Sequence, residues 1–215
     1  MIKYTNRYGH PITEQQVNVL DEYDIKTVNE VTGKTKIVER IRKGRQAIHK
    51  WFNYYLDSDE NKDIVIQQLS NTLSSKGFTI YFNQQSSNGF DMWDCEDYNN
   101  EGILQHKSKM VVDSSERKIF DCSFDLQTNE IKSFPYPTKY YYGNISELEG
   151  LVLRFTYELD ENNNYQVRIK DVYETTGEIH TMSQDEFIEF FGINFWNAHP
   201  YYHSIEPYLP TTPNI

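Results

Sequence analysis

Between positions 90 and 98, four carboxylates alternate with four large apolar or aromatic side chains. The segment reads Phe90-Asp91-Met92-Trp93-Asp94-Cys95-Glu96-Asp97-Tyr98. Aromatic side chains supply contact area at a low entropic cost, and carboxylates form directional, charge-assisted hydrogen bonds. This combination is typical of a surface that docks onto a cationic cleft. The segment therefore predicts a partner-binding site, which consists of Asp91, Trp93, Asp94, Glu96, Asp97 and Tyr98.

The surroundings of this segment predict a long polar loop over residues 83–102, because no apolar period is visible there. Loops of this length are usually functional or disordered. A second interpretation stays open. Phe90, Trp93 and Tyr98 would then fold the loop onto a sheet, and the acidic side chains would merely face water.

Two patterns resemble metal sites, but each lacks a necessary part. Residues 57–63 alternate oxygen-bearing side chains like the start of a calcium loop, yet Lys62 stands where glycine is needed and Gln68 where the last carboxylate belongs. His199 and His203 have the spacing of zinc ligands on a helix, but Pro200 lies between them and no Glu follows His199. We therefore predict no metal and no cofactor.

The two cysteines, Cys95 and Cys122, are predicted to be free thiols, since so few cysteines favour a reducing compartment. Cys122 lies in an alternating strand pattern, where a cysteine is usually a small buried hydrophobe. Serine-hydrolase, cysteine–histidine and phosphate-loop signatures are absent from the sequence. The sequence therefore favours a protein that is not an enzyme, and it assigns no catalytic residue.

The charge balance restricts the possible partners. The chain has 21 Lys and Arg against 32 Asp and Glu, a formal net charge of −11. An acidic field repels phosphate backbones, so the basic stretch at 34–50 is interpreted as pairing with the chain's own acids, and no nucleic-acid partner is predicted. No apolar run is long enough for a membrane span, and the first residues lack a signal-peptide pattern, which together predict no membrane association and a cytoplasmic protein.

The elements that would position these residues follow from apolar spacing. Helices are predicted from Thr13, over 45–56, over 59–75 and from Ser183. Thr13 can cap the first of these, with Gln16 reaching back. In the last of these, Phe187, Phe190 and Phe191 are expected to point inward, and the tail from Asn197 is expected to lie along the surface. Strands are predicted at 25–31, 35–41, 78–82, 103–112, 117–126, 130–135, 150–159, 165–174 and 178–182. The predicted fold class is α+β, with N-terminal helices packed on a largely antiparallel meandering sheet, a short C-terminal helix and an irregular tail. We expect a single domain over 1–215, with a possible division into 1–77 and 78–215.

The preferred hypothesis is a non-enzymatic protein-binding domain, most concretely an acidic immunity protein that neutralises a basic bacterial toxin. Such a toxin carries a positive cleft, and an acidic aromatic surface would occupy it and associate rapidly. Two alternatives stay open. One is a carbohydrate-binding or glycan-acting domain that uses Trp93, Trp196 and tyrosine side chains as a platform, and the other is a structural component of a phage or surface assembly.

Overall fold

The computed structural model describes residues 1–6, 11–45, 47–72, 77–142, 153–171 and 181–211. The strands in these ranges are β1 (Ile2–Asn6), β2 (Pro11–Ile12), β3 (Glu22–Val28), β4 (Thr35–Lys43), β5 (Ile48–Tyr55), β6 (Gly77–Ser87), β7 (Phe90–Asn99), β8 (Leu104–Asp113), β9 (Lys118–Phe124), β10 (Thr138–Tyr141), β11 (Leu153–Leu159), β12 (Tyr165–Asp171) and β13 (Thr181–Ser183). The helices are α1 (Glu14–Val17), α2 (Lys62–Thr72), α3 (Gln184–Phe191), α4 (Ile193–Ala198) and a 3₁₀ helix (Pro200–His203).

The described strands form one mixed sheet in the order β13-β12-β11-β10-β9-β8-β7-β6-β5-β4-β3-β1-β2. β5 and β6 are parallel, and α2 is the crossover between them. The pairs from β1 to β5 and from β9 to β13 are antiparallel. The predicted fold class, an α+β protein with N-terminal helices packed on a meandering sheet, is therefore wrong. The described chain is mostly a mixed sheet, its first helix has four residues, and α3 and α4 come late in the chain.

The helix predicted over 45–56 is wrong, because residues 48–55 form β5. Ile48, Trp51, Phe52 and Tyr55 match a helical stripe only by coincidence. Aromatic side chains occupy both faces of β5, with Trp51 and Tyr55 on one and Phe52 and Tyr54 on the other, so the apolar–polar alternation of a strand is lost. Aromatic side chains also fit a pleated sheet better than a helix, so pairing with the two neighbouring strands prevails over the apolar spacing.

The loop predicted over 83–102 is also wrong, because this region forms a hairpin of β6 and β7. The turn between the strands is Asn88-Gly89, and both residues have positive φ angles, 52° and 81°. An Asn-Gly pair with this backbone is the favoured two-residue connection between antiparallel strands. The polar residues therefore belong to long strands, and the acidic segment lies within a sheet.

The described chain divides into two compact units. Unit 1 comprises residues 1–83 and 95–107, and unit 2 comprises 84–94 and 108–215. In unit 1, α2 covers one face of the sheet, where Val65 packs with Phe78, Ile80 and Tyr98. In unit 2, a large aromatic core surrounds Phe120, Phe155, Phe187 and Tyr202. The expectation of a single domain stays a prediction.

The C-terminal part of unit 2 is only partly as predicted. α3 is confirmed, with Ser183 and Glu186 forming a reciprocal capping box. Phe190 was expected to point inward, but 79% of it is exposed. The predicted surface tail instead packs into the core, since Tyr201, Tyr202 and Pro210 are buried.

Some other predicted elements need correction or lie partly outside the described residues. The strand at 130–135 is wrong, since this segment contributes only an isolated bridge between Ile131 and Phe124. The predicted elements at 59–75, 150–159, 165–174 and 178–182 extend beyond the described ranges. Within those ranges, their described parts appear as α2, β11, β12 and β13.

Candidate functional site

The six residues predicted to bind a partner all lie on β7. Successive side chains of a strand point to opposite faces of its sheet. Asp94, Glu96 and Tyr98 therefore share one face, and Asp91, Trp93 and Asp97 share the other. The sequence pattern treated them as one cluster, whereas the strand separates them into two groups.

Glu96 and Tyr98 are buried in unit 1, where they are 8% and 6% exposed. Lys62 of α2 donates to the Glu96 carboxylate at 2.7 Å, and the Tyr98 hydroxyl donates to the same carboxylate oxygen. Burial and the neighbouring Glu96 raise the pKa of Tyr98, so its hydroxyl keeps its proton. These two side chains help to fasten α2 to the sheet.

The other acidic residues of β7 also have partners within the chain. Lys109 lies 3.1 Å from the Asp94 carboxylate, and Ser86 donates to Asp91. Asp97 accepts a hydrogen bond from Thr79 at 2.6 Å. Much of the negative charge of these residues is thus paired with groups of the same chain. A partner-binding role for the six residues stays a prediction, and other acidic surfaces of the chain have to be considered as well.

Asp97 belongs to a row of polar side chains that crosses six strands of unit 1 and in which hydrogen bonds join most neighbours. Asp24 lies directly opposite Arg40, and Arg40 lies directly opposite Trp51, so the three share a face. The Trp51 indole N–H donates to the Thr79 hydroxyl at 2.8 Å. The line ends where His106 Nδ1 lies 3.2 Å from Asp97. We call this set the polar row: Asp24, Arg40, Trp51, Thr79, Asp97 and His106.

The polar row lies on the face of the unit 1 sheet opposite α2. β5 shows this directly, since Phe52 and Tyr54 pack in the cluster under α2 and Trp51 occupies the alternate side. Of this set, only Asp97 was predicted from the sequence to belong to a binding site. Its partners are distant along the chain, and only the strand register brings them together.

In unit 2, Lys139 is completely buried and surrounded by rings. Its ammonium donates to the backbone carbonyls of Tyr201 and Ser204, each at 2.6 Å. The nitrogen lies 4.2 to 5.8 Å from four ring centroids. We call this arrangement the lysine cage: Lys139, the two carbonyls, and the rings of Phe120, Tyr157, Tyr201 and Tyr208.

Burial lowers the pKa of Lys139 to about 7, although the nearby Glu206 and Cys122 act in the opposite direction. The cage connects β10 to the segment after α4, and the Tyr157 hydroxyl adds a bond to the carbonyl of Tyr202 at 3.0 Å. No solvent path to Lys139 exists among the described residues, because its exposure is 0%. The cage is therefore a structural anchor for residues 201–208.

Acidity and exposed apolar surface occur together on α3 and the start of α4. Phe190 is 79% exposed and Ile193 is 50% exposed. Asp185 and Glu186 begin α3, and Glu189 precedes Phe190. Within the described part of the chain, Asp185 and Glu189 form no hydrogen bond or ion pair. We call this set the acidic helix surface: Asp185, Glu186, Glu189, Phe190 and Ile193.

The structure also locates the cysteines, the possible sugar platform and the possible metal sites that the sequence raised. Cys95 and Cys122 are buried and form no disulfide in the described part of the chain, and burial raises the pKa of Cys122 to about 12. Trp196 is buried and stacks on His203, so it offers no exposed sugar platform. Across the described ranges, no group of three or more His, Cys, Asp or Glu side chains could hold a metal ion. None of the described helices is long and apolar enough to span a bilayer.

No protein-family model matches the chain, and neither a curated protein nor a solved structure is significantly similar to it. The function therefore has to be argued from the residues of this chain alone.

Proposed function

We propose that the chain is a non-enzymatic, acidic protein-binding domain whose partner is a basic protein. Its most concrete form is a cytoplasmic immunity protein that neutralises a basic bacterial toxin. The observation that carries the proposal is the acidic helix surface, where Phe190 is 79% exposed beside Glu186 and Glu189.

The apolar part of this surface favours a protein partner. Leaving a phenylalanine ring in water forgoes roughly 1.5 to 3 kcal/mol of burial free energy. Phe190 makes an edge contact with Phe191, at 4.9 Å between ring centroids, which limits its motion. A ring held on a helix is the kind of anchor that dominates binding energy when a partner's pocket encloses it.

The charged part of the surface favours a basic partner. Asp185, Glu186 and Glu189 put three carboxylates on α3, the helix that carries Phe190. Hydrogen bonds from Ser183 lower the pKa of Glu186, so this carboxylate stays ionised at neutral pH. The whole chain adds a formal charge of −11. Such a field steers a cationic partner into contact and raises the association rate.

The experiment measures binding of the purified chain to the basic protein encoded by the neighbouring gene. Phe190→Ser should weaken binding by at least about tenfold, and Glu189→Lys should slow association. Phe134→Ser is the matched control, because Phe134 is 76% exposed in the same unit and follows Lys132 and Ser133 rather than carboxylates. The control should bind normally.

Salt provides the second readout. The association rate should fall as ionic strength rises, whereas the Phe190→Ser loss should persist at high salt. Equal effects of Phe190→Ser and Phe134→Ser would contradict the proposed surface. Failure to bind any basic protein would contradict the proposed function itself.

A further inference from the structure

The Trp51 side chain in the polar row packs against the backbone of β6. A Cβ atom added at Gly77 would meet two carbons of the Trp51 ring at 2.8 and 2.9 Å, so an edge of the ring rests directly against this glycine. The indole N–H is directed to the Thr79 hydroxyl, which fixes the ring's orientation. Trp51 is nevertheless only partly buried. The sheet therefore presents a partly exposed indole in a fixed orientation.

Charged groups of the polar row lie on both sides of this indole, and they are paired with one another. Arg40 Nε and an Arg40 terminal nitrogen donate to the two oxygens of Asp24, at 3.1 and 3.3 Å. Arg40 is 59% exposed, so its remaining N–H groups reach water. Beyond Thr79, Asp97 and His106 form the second pair and are 30% and 34% exposed.

These pairs determine what kind of ligand fits. Arg40 is paired with Asp24, and the Asp97 carboxylate accepts from Thr79 and lies beside His106, so the row offers donors and acceptors on both sides of the indole. Adjacent strands are about 5 Å apart, so Arg40 lies about one strand spacing and Asp97 about two strand spacings from the indole. A ligand on the ring would thus meet polar groups at both ends. A hydroxyl both donates and accepts, so a neutral ligand rich in hydroxyls would bond to Asp97 and to Arg40 alike, whereas a simple cation or anion would suit only one of them.

We propose that the polar row is a binding site for a neutral oligosaccharide. One sugar ring stacks on Trp51 through its apolar C–H face, and the flanking hydroxyls bond to Arg40 on one side and to Asp97 or His106 on the other. This site lies in unit 1 and uses no residue of the acidic helix surface.

Three neutral hexasaccharides, cellohexaose, maltohexaose and chitohexaose, are titrated into the full chain while the indole N–H signals are followed by NMR. At least one of them should shift the Trp51 Nε1–H signal in a saturable manner. The affinity should not change when salt is raised, since the three sugars carry no charge. This measurement uses the wild-type chain and does not depend on the folding of any variant.

Variants then locate the site. Trp51→Ala should weaken binding by about tenfold or more, because aromatic stacking is lost. Asp97→Asn should weaken it less. Phe190→Ser should bind the sugar normally, and Trp51→Ala should still bind the basic protein, so the two proposals fail separately. The proposal is overturned if none of the three sugars shifts the Trp51 signal, or if binding survives in Trp51→Ala.

Discussion

Both units bury a charged side chain in the sheet, but they treat the charge in opposite ways. In unit 1, Glu96 is 8% exposed and has an opposite charge, Lys62, at 2.7 Å. In unit 2, Lys139 is 0% exposed, and its hydrogen bonds go to two backbone carbonyls. The carboxylate of unit 1 thus has a cationic partner. The lysine of unit 2 contacts carbonyls and rings, so burial in a medium of low polarity penalises its charge and lowers its pKa.

The number of hydrogen bonds supports this difference. A neutral amine has two N–H groups, and the lysine cage supplies two carbonyl acceptors at 2.6 Å. An ammonium has a third N–H, for which the surrounding rings and the attraction of the nearby Glu206 compensate in part. The count agrees with the lowering of the Lys139 pKa to about 7 by burial.

Truncating the lysine cage should have the largest effect. Lys139→Ala leaves the carbonyls of Tyr201 and Ser204 buried without donors and opens a cavity among the rings. An unsatisfied buried acceptor costs about 1 to 3 kcal/mol, so we expect a total loss of roughly 3 to 5 kcal/mol in the free energy of unfolding. Urea denaturation followed by fluorescence measures this loss.

Two further variants identify the cause. Lys139→Met fills the cage but donates no hydrogen bond, so its loss should be smaller than that of Lys139→Ala. Lys132→Ala removes a lysine that lies outside the core and should be close to neutral. An equal loss for Lys139→Met and Lys139→Ala would show that the carbonyl bonds dominate and that packing contributes little.

The pH dependence of stability should be the next largest effect. Lys139 has a pKa of about 7 in the folded chain against 10.5 for the free side chain. Between these values the unfolded chain binds a proton that the folded chain does not, so stability rises with pH. The slope is at most about 1.4 kcal/mol per pH unit, which gives roughly 2 to 3 kcal/mol between pH 7 and 9. Below pH 7 both states are protonated and this contribution is constant.

The comparison with Lys139→Met isolates this contribution. The wild-type chain should gain stability between pH 7 and 9 relative to the variant, in parallel denaturation series. The series stops at pH 9 because above it the unfolded Cys122 thiol ionises, whereas burial raises the pKa of the folded thiol to about 12, and this lowers the stability of both chains alike. Parallel curves for the two chains would mean that Lys139 stays charged in its cage.

The sequence predicted local features well where adjacent residues determine them. The capping boxes at Thr13 and Ser183 were recognised because each needs only a partner three residues away. The Asn88-Gly89 turn was equally readable, and giving it full weight would have replaced the predicted loop by a hairpin. The sequence of β5 could not be distinguished from that of a helix, because its aromatic residues lie on both faces and no apolar–polar alternation is visible.

The candidate sites depend on contacts that are remote in the sequence. Asp97 was selected for its acidic neighbours, yet its structural partners are Thr79 and His106, on the strands before and after β7. Lys139 attracted no attention, since a lysine before Tyr140 and Tyr141 looks like an ordinary surface residue. Its burial depends on residues 201–208, which are more than sixty positions away. Phe190 was wrongly assigned to the core, because an apolar helical stripe does not show how wide the covered face is.

Removing the Lys62–Glu96 ion pair of unit 1 should have the smallest of these effects on the free energy of unfolding. Lys62→Met leaves Glu96 with the Tyr98 hydroxyl as its remaining hydrogen-bond donor among the described residues. Lys62 is 31% exposed, so water partly replaces it, and we expect a loss of about 1 to 2 kcal/mol in the free energy of unfolding.

A double-mutant cycle tests whether the charge causes this loss. Glu96→Gln removes the charge that Lys62 neutralises, so the double variant should lose less stability than the sum of the two single variants. Lys62 also lies over the Phe82 ring at 4.2 Å, and the methionine at position 62 preserves most of that packing. Additive losses would mean that Lys62 stabilises unit 1 through packing, and that the two units treat their buried charges less differently than their geometry indicates.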